Sequence, residues 1–221
     1  MLGDLSSLRE SLAEMVNVVV DEKLKNDIRT TIPGHILSFD PDTQLATVQV
    51  GVQRIMVSGD TITPPPIVKC PVCVYGATGG LVEVEISKGD ECAIHFSMRC
   101  IDGWREQGGV APIVSVERYR QSDAFVVLGA RSKKNVIEGY SNNGIKLRSK
   151  DGAKYVWLKN DGTIELSNGA AVITMQTGGS ALVNGCEITP TGNLITALGS
   201  DLDALWAAYS SHNSHPPGAP S

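Results

Sequence analysis

The chain has 221 residues, of which 42% are hydrophobic, 5% are aromatic and 23 are glycine, with a formal net charge of −5. Few aromatics and many glycines favour β-structure with tight turns over a packed α/β core, and the acidic balance argues against a nucleic-acid-binding protein. No stretch reaches the roughly 18 consecutive apolar residues of a membrane-spanning helix, and the polar N-terminus is no signal peptide, so we expect synthesis in a cytoplasm.

The first predicted element is a helix within residues 1–30. Ser7 and Glu10 fit a capping box at its start. The apolar residues that follow the three-four spacing of a heptad seam are Leu5, Leu8, Leu12, Met15 and Val19. Two heptads are too few to decide between a coiled coil and an amphipathic helix that docks on its own domain.

Residues 31–138 are predicted to form an OB-fold domain with a connector. A hairpin with its turn at Asp40 to Thr43 opens the segment, and the prolines Pro64 to Pro66 mark an extended linker or a sheet edge. The stretches "VCVYG", "LVEVEI" and "CAIHF" are strand-like, and "AFVVLGA" adds another strand. About five short strands in some 70 residues, with no helical pattern between them, favour a small barrel such as an OB-fold.

Residues 139–198 form a periodic array. Each unit of roughly seven to ten residues is a short strand followed by a glycine-bearing turn, and the units shorten towards the C-terminus. The predicted turn glycines are Gly144, Gly152, Gly162, Gly169, Gly178, Gly185 and Gly192.

The strands of this array alternate between apolar and polar positions. Residues two apart share one side of a strand, and the pairs predicted to lie on the apolar face are Ile145 and Leu147, Tyr155 and Trp157, Ile164 and Leu166, and Val172 and Thr174. A single thin ribbon would leave its apolar face in water. Three chains that wind around one axis would bury this face, so the array predicts a trimeric, intertwined β-helix or β-prism shaft. The alternative is an antiparallel sandwich.

Residues 199–221 are predicted to form a short helix and the apex of the shaft. Ser200 or Asp201 is a suitable N-cap, and Pro216 would end any helix. The residues that share one helical face are Leu198, Leu202, Leu205, Trp206 and Tyr209.

His212 and His215 are the candidate metal ligands. Two imidazoles from one chain make a poor site, but six from three chains at the axis would suit an octahedral iron or nickel ion. The alternative interpretation is a polar, disordered terminus, since chain ends usually fray.

The remaining candidate motifs give no positive case for an enzyme. Cys70 and Cys73 form a CxxC, but the other three cysteines supply no second close pair, and residues three apart in a strand point to opposite faces. We therefore interpret the five cysteines as mostly reduced thiols. His35 and His95 lie in strand-like segments and are interpreted as structural. The sequence carries no nucleophile or phosphate-loop motif.

Several motifs occur in an order that resembles a known family. They are a glycine-rich turn at Gly79–Gly80, the "GDE" turn at Gly89–Asp90–Glu91, "IDGW" from Ile101 to Trp104, and "DAF" from Asp123 to Phe125. This order over residues 32 to 138 resembles the membrane-piercing central baseplate spike proteins of contractile-tailed bacteriophages, specifically the family with an N-terminal OB domain.

The resemblance implies a homotrimer in the virion, at the tip of the tail baseplate, with an OB collar, a β-helical shaft and a pointed apex. It implies a structural role: the spike plugs the tail tube, contacts a hub or tail-tube protein, and punctures the host outer membrane when the sheath contracts. Members often bind one iron through a His-x-His motif from three chains. Here His212 and His215 are one residue further apart, so both rings share a side only in a helical or bent segment. The alternative function is an OB-fold module on a β-repeat stalk that binds oligosaccharides or nucleic acid.

Overall fold

The computed structural model describes residues 5–56 and 58–212. The chain divides into two compact units, with the boundary between Val136 and Ile137. The division into segments 1–30, 31–138, 139–198 and 199–221 stays a prediction.

The first unit is built mainly from short strands. Its elements are α1 (Leu5–Asp27), β1 (Thr31–Asp40), β2 (Leu45–Val50), β3 (Arg54–Ile55), β4 (Thr61–Ile62), β5 (Ile67–Cys73), β6 (Tyr75–Ala77), β7 (Gly80–Val82), β8 (Glu91–Phe96), α2 (Asp102–Gln107), β9 (Ala124–Leu128) and a 3-10 turn at Lys133–Asn135.

Five of these strands close into a barrel in the order β1-β2-β5-β9-β8. All neighbours are antiparallel except β5 and β9, which are parallel. A closed five-stranded barrel with this order has the topology of an OB-fold, so the predicted small barrel is confirmed. Its core consists of Ile36, Ala46, Val48, Val50, Ile67, Cys70, Cys92, Ile94, Ala124 and Val126.

The first hairpin forms as predicted, between β1 and β2. Asp40 holds its turn, because the carboxylate accepts hydrogen bonds from the Asp42 amide at 3.0 Å and the Thr43 hydroxyl at 2.7 Å. Pro64 to Pro66 lie in the extended linker between β4 and β5. Two further hairpins, β3–β4 and β6–β7, stand outside the barrel as separate two-stranded sheets.

The predicted N-terminal helix is present as α1. Its heptad residues Leu12, Met15 and Val19 are 60%, 65% and 53% exposed. These side chains therefore do not dock on the barrel, which leaves their apolar surface available to another chain.

The second unit is a meander that ends in a helix. Its elements are β10 (Ile145–Arg148), β11 (Lys154–Leu158), β12 (Ile164–Asn168), β13 (Val172–Met175), β14 (Ala181–Val183), β15 (Cys186–Ile188), β16 (Leu194–Ile195) and α3 (Leu202–His212).

The seven strands form one sheet in which each strand pairs antiparallel with the next. They shorten from five residues in β11 to two in β16. Within the described part of the second unit there is no second sheet, so the sandwich alternative was wrong. The predicted N-cap of the last helix is correct, because Asp201 accepts a hydrogen bond from the Ala204 amide at 3.0 Å.

The turn glycines agree with the prediction at six of seven positions. Between β13 and β14 the left-handed residue is Gly179, with φ of 88°, and not Gly178. The turn closes from the Gly179 amide to the Gln176 carbonyl at 3.0 Å, which places the positive φ on the second glycine.

One side of the sheet is apolar in all seven strands, and its polar exception is the directly paired Lys154 and Asn168 at one edge. Directly paired residues share a side, and the registers therefore place on this apolar sheet face Ile145, Leu147, Val156, Leu158, Ile164, Leu166, Ile173, Met175, Ala181, Val183, Cys186, Ile188 and Leu194.

Two of the four predicted pairs of face positions were wrong. Tyr155 and Trp157 pair with Arg148 and Lys146, on the side opposite Ile145. Val172 and Thr174 likewise alternate with the face residues Ile173 and Met175. Alternation within one strand does not reveal which side it shares with its neighbours, because that depends on the register set by each turn.

On the opposite side of the sheet, charged and aromatic side chains have partners within the same chain. The Lys146 ammonium lies 4.1 Å from the centroid of the Tyr155 ring and 4.2 Å from that of Trp157. The Trp157 indole donates to the Asn143 carbonyl at 2.6 Å, and Lys159 pairs with Glu165. These charged and aromatic side chains are half-buried, whereas Ile145 and Leu147 on the apolar face are exposed.

Candidate functional site

The two predicted metal ligands lie at the edge of what the structure describes. His212 is the last residue of α3, and its side chain is not described. His215 lies outside the described residues. A metal bound by His212 and His215 therefore stays a prediction.

The "GDE" turn fastens the segment that follows the barrel. Gly89 adopts φ of 95°, and the Asp90 carboxylate accepts a hydrogen bond from the Ser87 amide at 2.7 Å. Glu91 accepts from the Ser132 amide and from the Asn135 amide nitrogen, the latter at 2.7 Å. These bonds lower the pKa of Glu91, and they anchor the segment that leaves the barrel after β9.

The "IDGW" and "DAF" motifs meet in one cluster of side chains. We name it the Arg120 cluster, and its members are Cys100, Asp102, Arg105, Arg120 and Asp123. Cys100 lies two residues before α2, Asp102 and Arg105 lie within α2, and Arg120 and Asp123 precede β9. The cluster therefore closes the loop between β8 and β9.

Asp123 is the buried centre of the cluster. Its side chain is fully buried, and it accepts hydrogen bonds from Arg120 Nε at 2.7 Å, Arg120 Nη2 at 3.0 Å and the Ile101 amide at 3.2 Å. A buried carboxylate is tolerated only with such partners. Asp123 thus joins both ends of the loop.

Asp102 links the cluster to α2. Its carboxylate accepts from Arg105 and, at 3.0 Å, from Arg120 Nη2. The Arg120 hydrogen bond and the Cys100 thiol lower the pKa of Asp102, and the two carboxylates raise the pKa of Arg120. All of these shifts favour the charged forms, as expected for an ion-pair network.

The donor atoms of Cys100, Asp102 and Asp123 lie within 4.8 Å of one another, a spacing compatible with a metal ion. However, Arg120 Nη2 lies 2.9 Å from the Cys100 sulfur and 3.0 Å from each of the two carboxylates. The guanidinium therefore occupies the position that a cation would take.

Aromatic packing completes the junction of the two motifs. The rings of Trp104 and Phe125 lie 5.5 Å apart at 59°, a tilted arrangement that such pairs favour. Gly103, the residue before Trp104 in the "IDGW" motif, packs tightly against the loop: a Cβ added there would lie 2.7 Å from the Pro112 carbonyl oxygen.

We expect Gly103→Ala to lower the free energy of unfolding by about 1–3 kcal/mol, because the backbone of Pro112 must shift to admit a methyl group. Gly79→Ala is the matched control, since an added Cβ at this position meets nothing within 4 Å. The urea midpoints of both variants measure the difference. Equal midpoints would contradict the tight fit of Gly103.

The network also predicts an acid-sensitive fold. Because the pKa of Asp102 is lower in the folded chain than in the unfolded chain, its ionisation stabilises the fold above the unfolded value of about 3.9. This contribution is lost as the pH falls through the folded-state pKa. We expect the Asp102→Asn variant to lose less stability than the wild type on acidification.

Urea midpoints measured between about pH 5 and pH 2.5 would show this as a shallower slope for the variant. Asp42→Asn, at an exposed turn outside the cluster, serves as the control. If the Asp102→Asn and wild-type slopes are parallel, the proposed linkage is wrong.

The CxxC cysteines lie in different environments. Cys70 is buried in the barrel core and Cys73 is exposed, as predicted for the two cysteines of this strand. Burial raises the pKa of Cys70 to about 12 and that of the core residue Cys92 to about 11. Both core thiols therefore stay protonated and unreactive near neutral pH.

Arg105 and Arg120 were not predicted from the sequence as members of a site. The available signal is a pair of Asp–Arg spacings of three, Asp102 with Arg105 and Arg120 with Asp123, one on each side of the loop. Each spacing alone is common, and only the fold brings the two together.

The fold and the cluster together define an OB-type barrel domain whose motif residues hold its longest loop in place. Residues 32–129 match the family model described as the phage protein Gp138 N-terminal domain, a range that begins in β1 and ends one residue after β9. This match supports a phage structural protein with a virion-associated location. No curated protein matches the chain. Across the described residues, no helix has both the length and the apolar character needed to cross a bilayer.

Proposed function

We propose that this protein is the central spike of a contractile phage tail baseplate. It assembles as a homotrimer, plugs the tail tube through its barrel end, and mechanically punctures the host outer membrane when the sheath contracts. Its partners are a baseplate hub or tail-tube protein at the first unit and the host outer membrane at the C-terminal apex. It acts as a structural protein and not as an enzyme.

The apolar sheet face carries the proposal. Its residues cover all seven strands of the second unit, and Ile145 and Leu147 are 68% and 61% exposed in the single chain. A face of this extent in water is unfavourable by about 25 cal/mol per Å² of apolar surface. Three copies around one axis would bury it continuously, in an intertwined shaft without free apolar surface.

The geometry of the sheet suits a mechanical role. A meander with strands that shorten towards the C-terminus would taper when three copies wind together. Axial force would then be shared over many backbone hydrogen bonds and delivered through a narrow apex. The family match of the barrel supports the assignment to a phage particle.

The Arg120 cluster supports a structural rather than a catalytic role. Both of its carboxylates are held by arginine side chains. A general base must instead be free to take a proton from a substrate. We therefore assign the cluster to the stability of the collar.

Native mass spectrometry with metal analysis tests the proposal. We expect a mass of three chains, and a monomer of 23.5 kDa would contradict the shaft. We also propose iron at the apex, held by His212 and His215 of three chains. About one iron per trimer, lost in His212→Ala, is the expected result for an octahedral imidazole site, whereas a metal-free trimer would contradict the iron and leave the shaft intact.

The OB topology favours a second candidate, a module that binds oligosaccharides or nucleic acid. Nucleic-acid-binding barrels of this type stack bases on aromatic side chains, and β2 and β5 contain none. Titration with single-stranded DNA and with glycans separates the two functions. Tight, saturable binding would favour the module.

A further inference from the structure

A ring of three identical barrels needs two different contact surfaces on each barrel. In a cyclic trimer the contact between neighbours is heterologous, so one patch of a protomer meets another patch of the next. The first unit presents two exposed surfaces of opposite charge and similar apolar content.

The first surface is a groove of about 910 Å³ beside the C-terminal end of α1. We name it the basic groove, and its lining includes Val20, Lys23, Ile28, Arg29, Glu117 and Arg118. Four cationic residues line it, the fourth being Arg120, against the single carboxylate of Glu117. Arg29 holds one wall by donating to the Tyr119 carbonyl at 2.9 Å, where Tyr119 adopts φ of 53°. A non-glycine residue in this conformation indicates a wall that is held in place by its surroundings.

The second surface is residues 82–86, which we name the acidic segment. Its sequence, "VEVEI", alternates apolar and acidic side chains. Val82 and Val84 are 47% and 57% exposed, and Glu83 and Glu85 are exposed as well. It follows β7, whose hairpin with β6 stands outside the barrel. An isolated two-stranded hairpin is marginally stable in water, so this region gains from a partner.

The two surfaces lie at opposite ends of one ladder. β1 and β8 pair from Thr31–His95 to His35–Glu91. The groove residues Ile28 and Arg29 come just before Thr31, whereas the acidic segment leads through a short turn to Glu91. Four residues of strand separate these ends by about 14 Å. The two surfaces thus lie apart on one barrel, as a head-to-tail ring requires of its two contact patches.

We propose that the acidic segment of one protomer docks in the basic groove of the next, which closes the three barrels into a head-to-tail ring. This inference rests on the proposed trimer and adds the contact that orders the collar. Glu85 pairs with Lys23 and Glu83 pairs with Arg118, while the valines contact Val20 and Ile28. The occupant is a second copy of this chain because the chain itself carries the complementary segment.

Zero-length carbodiimide cross-linking of the full-length protein tests the contact. We expect amide links between Lys23 and Glu83 or Glu85, identified by peptide mass spectrometry in bands of two and three chains. Arg118→Glu should lower the yield of the Lys23–Glu85 link about tenfold, because charge complementarity is removed. Adding Glu83→Lys to that variant should restore the yield by exchanging the charges.

Arg54→Glu, on the exposed β3–β4 hairpin, is the matched control and should leave the yield unchanged. A trimer without these links, or with links that Arg118→Glu does not reduce, would overturn the docking. Links confined to single chains would overturn it as well. A monomer in native mass spectrometry would contradict the proposed function itself, so the two failures are distinguishable.

Discussion

Replacing Ile173 with lysine is expected to prevent trimer formation. Ile173 lies on the apolar sheet face in β13, between Leu166 and Val183 of the neighbouring strands. In a trimeric shaft, three ammonium groups would enter the apolar core at one level, at a cost of roughly 3 kcal/mol or more per chain. Native mass spectrometry at micromolar concentration should then show the monomer.

The single chain itself should tolerate this change. Ile173 is 39% exposed in one chain, so a lysine can extend its ammonium into water without unfolding the sheet. A protein that functions as a monomer would therefore hardly respond. The substitution separates a face that is covered by other copies from one that is merely exposed.

Thr174→Lys is the matched control. Thr174 is the next residue along β13 and pairs with Glu165 and Leu182 on the polar side of the sheet. A lysine there keeps its ammonium outside the proposed core and beside a carboxylate, so the trimer should persist. If Ile173→Lys remains trimeric, or if both variants dissociate equally, the apolar sheet face is not the subunit interface.

Local patterns in the sequence were sufficient to predict most elements of the fold. They missed α2, and of the strand-like stretch "LVEVEI" only Leu81 and Val82 lie in a strand. Asp40 and Thr43 mark the first hairpin turn, because their short polar side chains bond to the turn itself. The glycines mark the turns of the meander because they adopt positive φ without a steric penalty, and the position of one was wrong by a single residue. Closure of five short strands into a barrel was predicted from their number and spacing.

Properties that depend on register were not predictable in the same way. Tyr155 and Trp157 alternate as regularly as Ile145 and Leu147, yet the two pairs face opposite sides. The side is decided by the parity of the turn between the strands, which alternation does not encode. The choice of apolar face thus had to come from the structure.

The same distinction between local patterns and long-range contacts applies to the candidate site. The motifs that contain Asp102 and Asp123 could be selected from the sequence because of their order along the chain. Their physical meaning could not be inferred, since it lies in contacts with Arg120 across a loop. The structure assigns these residues to stability, a role that the order of motifs alone cannot reveal.

Asp123→Ala is expected to be the most damaging single change in the barrel. It leaves the Arg120 guanidinium without its buried partner and the Ile101 amide without its acceptor. Removing one member of a buried ion pair costs about 3–5 kcal/mol. The urea midpoint should fall accordingly, and hydrogen exchange at the Ile101 amide should accelerate.

Two further variants separate charge from shape. Asp123→Asn keeps an oxygen that can accept from the Ile101 amide but removes the negative charge, so an intermediate loss is expected. Replacing both partners, as Arg120→Met with Asp123→Leu, leaves no unpaired charge between them and should recover much of the loss. If Asp123→Ala unfolds at the wild-type midpoint, the cluster does not hold the loop. The expected order of stability would instead mean that the "IDGW" and "DAF" motifs occur together because they supply the two sides of one buried network. Ile101 and Asp102 come from the first motif and Asp123 from the second, and Arg120 bonds to both carboxylates.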